Sequence, residues 1–488
     1  MKSIKKQSNG TAFIIFGSTG DLTKRKLIPA LYKLYKNGVI NKNPIICVGR
    51  RDISNTGFLE LLNIQKFVNP ADMNLFNKFQ SLIHYYMLDS KNGSKEFNSY
   101  VKKIESKYKC NGNKIFYLAL PSSLFEPTTE IIRKSGLLNG KAWKRVVFEK
   151  PFGYDLNSAK KLNKAISSVF KERNIYRIDH YLGKELVQNI MVLRFSNSVF
   201  EEVWNHNFVD HVQITMSERS GVGTRGDYYE KVGALKDVVQ NHMLQVLSLV
   251  AMEPPKSTSS KDIKDQKIKV LKSLQQVKAS NIVVGQYDRG VVRGKHVDSY
   301  KKDVKNSKSH IETFVGLKTF IDTKRWKNVP FYLRAGKRLN QEYAEVNLVL
   351  KDVAYKLFPS EKEHYDHNVI SVRIQPDEGI AIRFHSKIPG TLKLYPVNME
   401  FCHNCEFGAN TLASYERLLS DVLKGSKTLF TRWDFVEHSW KFIDHLSKII
   451  KKKKILHYKS GTSGPKEAEM LVKKDKKEWI KLERRVVL

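Results

Sequence analysis

Arg177-Ile178-Asp179-His180-Tyr181-Leu182-Gly183-Lys184-Glu185 places an acid, an imidazole, a phenol and an ammonium within the six positions from Asp179 to Lys184. Polar groups at this density are costly in an ordinary core strand, and Ile178 and Leu182 imply partial burial. His180, Tyr181 and Lys184 can each donate a hydrogen bond to an anion, and Lys184 adds a full charge. Gly183 offers a sharp turn through which the lysine could fold back toward the histidine. By itself the run is an anion site, and its chemistry suits a phosphate.

A second run reads as a nucleotide site. The apolar strand Phe13-Ile14-Ile15-Phe16 leads into Gly17-Ser18-Thr19-Gly20-Asp21-Leu22 and then a helical pattern. Glycines let the backbone approach a pyrophosphate, and the free N–H groups at the helix start supply donors. The spacing is GxxG, so its place on the first strand of an alternating pattern carries the argument. The next strand ends in Arg50-Arg51-Asp52. Arginine there suits the extra phosphate of NADP and an acid suits the ribose of NAD, so Arg50 favours NADP. Gly221-Val222-Gly223-Thr224-Arg225-Gly226 matches GxGxxG literally, but an alternating strand and three polar residues precede it. It reads as a flexible substrate-facing loop.

Asp237-Val238-Val239-Gln240-Asn241-His242 opens an apolar helix. Oxidation of an alcohol needs a base for the hydroxyl proton, and a histidine suits that near neutral pH. Asp237 and His242 are five apart, so on an α-helix they need not share a face, and a different acid could orient the imidazole.

The elements that must hold these groups are legible in the pattern. Short apolar runs at Ala12–Phe16, Ile45–Val48, Ile83–Leu88, Ile115–Leu120 and Val146–Phe148 alternate with helical segments such as Lys26–Lys36. That alternation predicts a parallel sheet covered on both sides. Beyond residue 200 the period shortens to two, as in Val212-Gln213-Ile214-Thr215-Met216, which predicts a largely antiparallel sheet with one solvated face. Helical spacing returns at Tyr415–Val422 and Trp433–Ile450. The expected division is residues 1–178 for cofactor binding and 179–488 for an α+β substrate-binding and oligomerisation domain.

Composition bounds the rest. The net charge of +36 invites a nucleic-acid reading. The basic residues are scattered, however, and Lys, Asn, Ile, Tyr and Phe are all abundant, as AT-rich codons dictate. The run Lys451-Lys452-Lys453-Lys454 reads as a solvated helix end. No nucleic-acid partner is expected, because no binding motif accompanies the charge. No apolar run is long enough to span a membrane, and no signal peptide is expected from the pattern of the first residues. Four cysteines make no disulfide framework, so the expected location is cytoplasmic. Cys402-His403-Asn404-Cys405 has no second CxxC to complete a zinc site, and no metal is expected.

In its motifs the chain resembles the glucose-6-phosphate dehydrogenase family. The resemblance rests on Gly17-Ser-Thr-Gly20-Asp-Leu, Glu149-Lys150-Pro151-Phe152-Gly153, the run from Arg177 to Glu185, Gln240-Asn-His242, Pro330 to Lys337 and Gln375-Pro-Asp-Glu-Gly379, in family order. It implies an N-terminal Rossmann-like domain beside a larger, mainly antiparallel α+β domain. It also implies oxidation of glucose 6-phosphate at C1 to 6-phosphoglucono-1,5-lactone with reduction of NADP. His242 would take the C1 hydroxyl proton and Asp179 would orient it. His180, Tyr181 and Lys184 would hold the 6-phosphate. Glu218 and Asp237 would bind sugar hydroxyls, Lys337 would add a contact, and Lys150 would sit between substrate and cofactor. Family members are commonly dimers or tetramers. One position departs from the family pattern: Glu342 stands where a second basic residue is usual after Lys337, with Arg338 a candidate substitute. The alternatives weighed are a related hexose-6-phosphate dehydrogenase and a basic nucleic-acid-binding protein on a degenerate scaffold.

Overall fold

Buried apolar runs become parallel strands in the first half of the chain. These are β1 (Thr11–Phe16), β2 (Ile45–Gly49), β3 (Ile83–Met87), β4 (Asn113–Leu118), β5 (Lys144–Phe148) and β6 (Ile175–Ile178). The computed structural model describes residues 10–88, 93–355, 357–358, 367–408 and 413–480. It contains two compact units. One comprises Met1–Gly183, Ser257–Lys264 and Leu412–Glu437, and the other Lys184–Lys256, Asp265–Thr411 and His438–Leu488.

In the first unit the strand order is 3-2-1-4-5-6, with the two-residue strand Phe430–Thr431 antiparallel on the outer edge of β6. This is the doubly wound dinucleotide-binding order, whose two halves leave the sheet in opposite directions from β1. β1 is buried along its whole length, which is why its apolar run does not alternate. The helix Ile28–Lys36 buries Leu31 and Leu34 completely, and Leu27 in the turn before it is equally buried.

In the second unit nine strands form one sheet. From one edge the order is Leu394–Cys402, Gly379–Lys387, Val369–Gln375, Tyr343–Leu350, Val209–Ser217, Phe331–Gly336, Phe314–Thr319, Ile282–Asp288 and Leu456–Lys459. Pairing is antiparallel except where Phe331–Gly336 meets Val209–Ser217 and where Leu456–Lys459 meets Ile282–Asp288. The polar positions of the central strands are not solvated as their alternation suggested. Gln213, Thr215, Glu345 and Asn347 are all at most 3% exposed. Each is satisfied within the protein. Gln213 donates to the Glu478 carbonyl at 2.7 Å and accepts from the Ile480 N–H at 2.9 Å. Arg334 donates to Thr215 at 3.0 Å, and Asn347 to Glu345 at 2.6 Å. A polar face whose hydrogen bonds are internally satisfied can be covered at little cost.

Candidate active site

The nucleotide half is built on the carboxyl ends of the parallel strands. Gly17 follows β1 at φ 78°, and a Cβ there would lie 2.3 Å from the Ala119 carbonyl oxygen beyond β4. Only glycine fits that approach. The N–H groups of Gly17 and Ser18 both donate to the Val48 carbonyl at 3.1 and 3.2 Å, tying the turn to the end of β2. Gly20 closes it through its N–H to the Gly17 carbonyl at 3.0 Å. Ser18 is fully buried, and its hydroxyl has no hydrogen-bond partner among the described residues. A side-chain-free cradle lined by an unsatisfied hydroxyl, at the point where the strand order reverses, fits a dinucleotide pyrophosphate. Thr19 and Leu22 are half-buried beside it, while Asp21 is exposed and pairs with Arg25 at 2.7 Å. Arg50, one residue past β2, is exposed and has no ion-pair partner among the described residues, as a ligand for the extra phosphate of NADP should be.

The same row of strand ends continues to the opening motif. Phe16, Leu118, Phe148 and Arg177 stand in register across β1, β4, β5 and β6. With neighbouring strands about 4.8 Å apart, the glycine turn lies roughly 14 Å from the end of β6. Lys150 follows β5 between them. Glu149 beside it accepts from the hydroxyls of Tyr117 at 2.5 Å and Tyr415 at 3.2 Å, and burial holds its pKa above the usual carboxylate value.

Asp179 emerges from β6, is 3% exposed, and accepts the Tyr181 N–H at 3.0 Å. His180 to Gly183 form one 3-10 turn, with the His180 and Tyr181 rings edge to face at 5.2 Å. Gly183 does not have the left-handed backbone expected of a sharp turn. It is glycine because a Cβ would lie 2.8 Å from the Ser414 carbonyl oxygen.

In the second unit Lys184 donates to the side-chain oxygen of Gln375. Burial lowers its pKa, and the Glu378 carboxylate opposes that shift. Glu218 and Lys337 follow two strands paired in parallel, with Ser217 opposite Gly336, so they leave the sheet side by side. Lys337 Nζ donates to Glu218 Oε2 at 2.5 Å and sits 5.3 Å from the centre of the Tyr229 ring. Arg338, at φ 54°, directs its guanidinium toward Asp303 at 3.6 Å, while Glu342 is exposed. The loop at Gly221–Gly226 is anchored by Val222, which is buried in a core cluster.

Asp237 and His242, 4% and 3% exposed, lie on one π-helix spanning Leu235–Met243. A π-helix bonds i to i+5, so residues five apart come nearer to one face than they would on an α-helix. The α-helical spacing that separated this pair in the sequence does not apply. Two further residues went unnoticed there. Tyr228 donates to Asp237 at 3.4 Å, and Tyr229 is buried with its hydroxyl unpartnered among the described residues. Their only signal was an adjacent pair of tyrosines between a glycine loop and the helix. Cys402 and Cys405, whose spacing lacked a second pair for a zinc site, form a disulfide across the start of a short helix.

Known proteins resemble the chain throughout its length. The family model described as the glucose-6-phosphate dehydrogenase NAD binding domain matches residues 14–189. The model for the C-terminal domain of that family matches residues 191–480. A glucose-6-phosphate 1-dehydrogenase of Chlamydia pneumoniae is 41% identical over 487 residues, 96% of this chain and 95% of that protein. Its counterpart in Bacillus subtilis (strain 168) is 40% identical over 484 residues, 97% of this chain and 99% of its own. Among solved structures, a glucose-6-phosphate dehydrogenase in complex with its substrate superposes with a TM-score of 0.89 at 32% identity, covering 97% of this chain and 99% of the other.

Proposed function

The chain belongs to the glucose-6-phosphate dehydrogenase family, and from that premise we propose how its own residues divide the work. The protein is an oxidoreductase that oxidises glucose 6-phosphate at C1 to 6-phosphoglucono-1,5-lactone with reduction of NADP, the first step of the oxidative pentose phosphate pathway. NADP, when bound, supplies the hydride acceptor.

His242 takes the C1 hydroxyl proton, because a general base must hold that proton as hydride leaves carbon. Asp179 orients the imidazole and stabilises its charged form. His180, Tyr181 and Lys184 hold the 6-phosphate. Lys184 already donates a hydrogen bond from a half-buried ammonium, so a dianion would find it positioned and poorly hydrated. Glu218 and Asp237 accept from sugar hydroxyls, and Lys337 fixes Glu218 while offering its remaining donors to the substrate. Gly17, Ser18, Thr19, Gly20, Asp21 and Leu22 receive the pyrophosphate end of NADP, Arg50 its extra phosphate, and Lys150 lies between cofactor and sugar. The proposed division keeps nucleotide binding in residues 1–178 and substrate binding and association in 179–488, although the compact first unit also takes in residues 179–183, Ser257–Lys264 and Leu412–Glu437.

One observation carries this division: Gly17, Lys150 and Asp179 follow strands β1, β5 and β6 along one row of carboxyl ends, where doubly wound sheets bind their ligands. We also propose a homodimer or homotetramer, for which the exposed Tyr395, Met399 and Phe401 on an edge strand of the large sheet provide an apolar surface. Among the described residues no helix is long and apolar enough to cross a membrane. We propose a cytoplasmic location, as the four cysteines in the chain suggest. Steady-state reduction of NADP and NAD with glucose 6-phosphate, other hexose 6-phosphates and free glucose tests the assignment. Rapid NADP reduction with glucose 6-phosphate is expected. Equal turnover of unphosphorylated glucose would remove the phosphate roles of His180, Tyr181 and Lys184.

A further inference from the structure

A cavity of about 660 Å³ within the second unit is walled by six lysines, Lys231, Lys236, Lys301, Lys451, Lys453 and Lys454. None of them has an ion-pair partner among the described residues. The chain carries 85 basic against 49 acidic residues, so a wall drawn at random would hold several acids beside six lysines. It holds one, Glu312. That carboxyl is buried and accepts the Leu235 N–H at 3.1 Å, and burial pushes its pKa up to about 7. A single carboxyl, even when ionised, offsets only one of the six lysine charges.

Two further features distinguish this wall from a solvated basic surface. Ser447 is one of the lining residues, and its buried hydroxyl has no hydrogen-bond partner among the described residues, although buried hydroxyls are ordinarily satisfied. Between the lysines the lining is apolar, with Val232, Leu235, Ile311, Ile450 and Ile455. The volume falls within the range of about 300–1,000 Å³ that holds small organic ligands, and is too large for a lone phosphate. The cations are all lysines. Their ammonium groups act as point charges and suit a flexible phosphate chain, whereas arginine is the choice for planar bidentate recognition.

We propose that this cavity binds a polyanionic phosphate compound of the nucleoside triphosphate class, with the phosphates on the lysines and the base against the apolar lining. The site is separate from the glycine turn that receives NADP. The run Lys451–Lys454 thereby gains a role that its sequence did not suggest.

The test is titration of the full-length protein, held in saturating NADPH, with a fluorescent ATP analogue. Saturable binding that weakens steeply with added salt is expected. Lys453→Glu/Lys454→Glu should weaken it by about tenfold or more, while turnover of glucose 6-phosphate stays within about twofold of the parent. Inorganic tripolyphosphate should compete, but less well than ATP. Loss of binding when NADPH is saturating, or equal affinity in the double variant, would overturn the site. Tripolyphosphate competing as well as ATP would overturn the role of the apolar lining.

Discussion

Lys337 and Glu218, 119 residues apart in sequence, form an ion pair at 2.5 Å because the strands that deliver them run parallel and end in register. The lysine side chain is 3% exposed and the glutamate 34%. Removing one partner from such a pair leaves the other charge poorly compensated. Lys337→Met should raise KM for glucose 6-phosphate by about 10- to 100-fold, the worth of a charged hydrogen bond. In a double-mutant cycle with Glu218→Gln, followed by denaturant unfolding, the pair should show a coupling of roughly 1–3 kcal/mol. Additive effects would mean that the two groups act independently.

Arg50 stands exposed just past β2 with no ion-pair partner among the described residues. If it holds the extra phosphate of NADP, Arg50→Ala should raise KM for NADP by about tenfold or more and leave KM for NAD nearly unchanged. Kinetics with both cofactors check this. A parallel loss with NAD would place Arg50 elsewhere in the site.

Much of this was legible in the sequence, for reasons visible in particular residues. Phe13 to Phe16 read as a central parallel strand because both faces are buried, leaving no alternation. The glycine turn read as a nucleotide site because Gly17 is forced both by its φ and by Ala119. Other features left no local trace. The π-helix around His242 has the same apolar content as an α-helix, and one inserted residue per turn changes neighbours without changing the pattern. Gln213 looked solvated because alternation reports polarity and not what later packs on it. That cover comes from residues near 478–480, far along the chain. Phe430–Thr431 is too short to announce itself as a strand, yet it completes the edge beside β6.

Glu312 makes stability depend on pH. Burial raises its folded pKa to about 7 from an ordinary 4.5, so the native state keeps a proton that the unfolded chain releases. Its contribution is fully present below pH 4.5 and is lost as pH rises to about 7, a change of about 3 kcal/mol at most. Glu312→Gln can still accept the Leu235 N–H. Its Tm should therefore exceed the parent's at pH 8, with the difference shrinking toward pH 4.5. A difference in Tm that does not vary with pH would show that this carboxyl ionises normally in the native protein.

The assignment of His242 as the base is the centre of the account, and steady-state kinetics of His242→Asn test it most directly. Asparagine keeps a polar side chain of similar size but cannot accept the proton at neutral pH. The account predicts that kcat falls by about 10²- to 10⁴-fold while KM for glucose 6-phosphate changes by no more than a few-fold. A kcat close to that of the parent would contradict it.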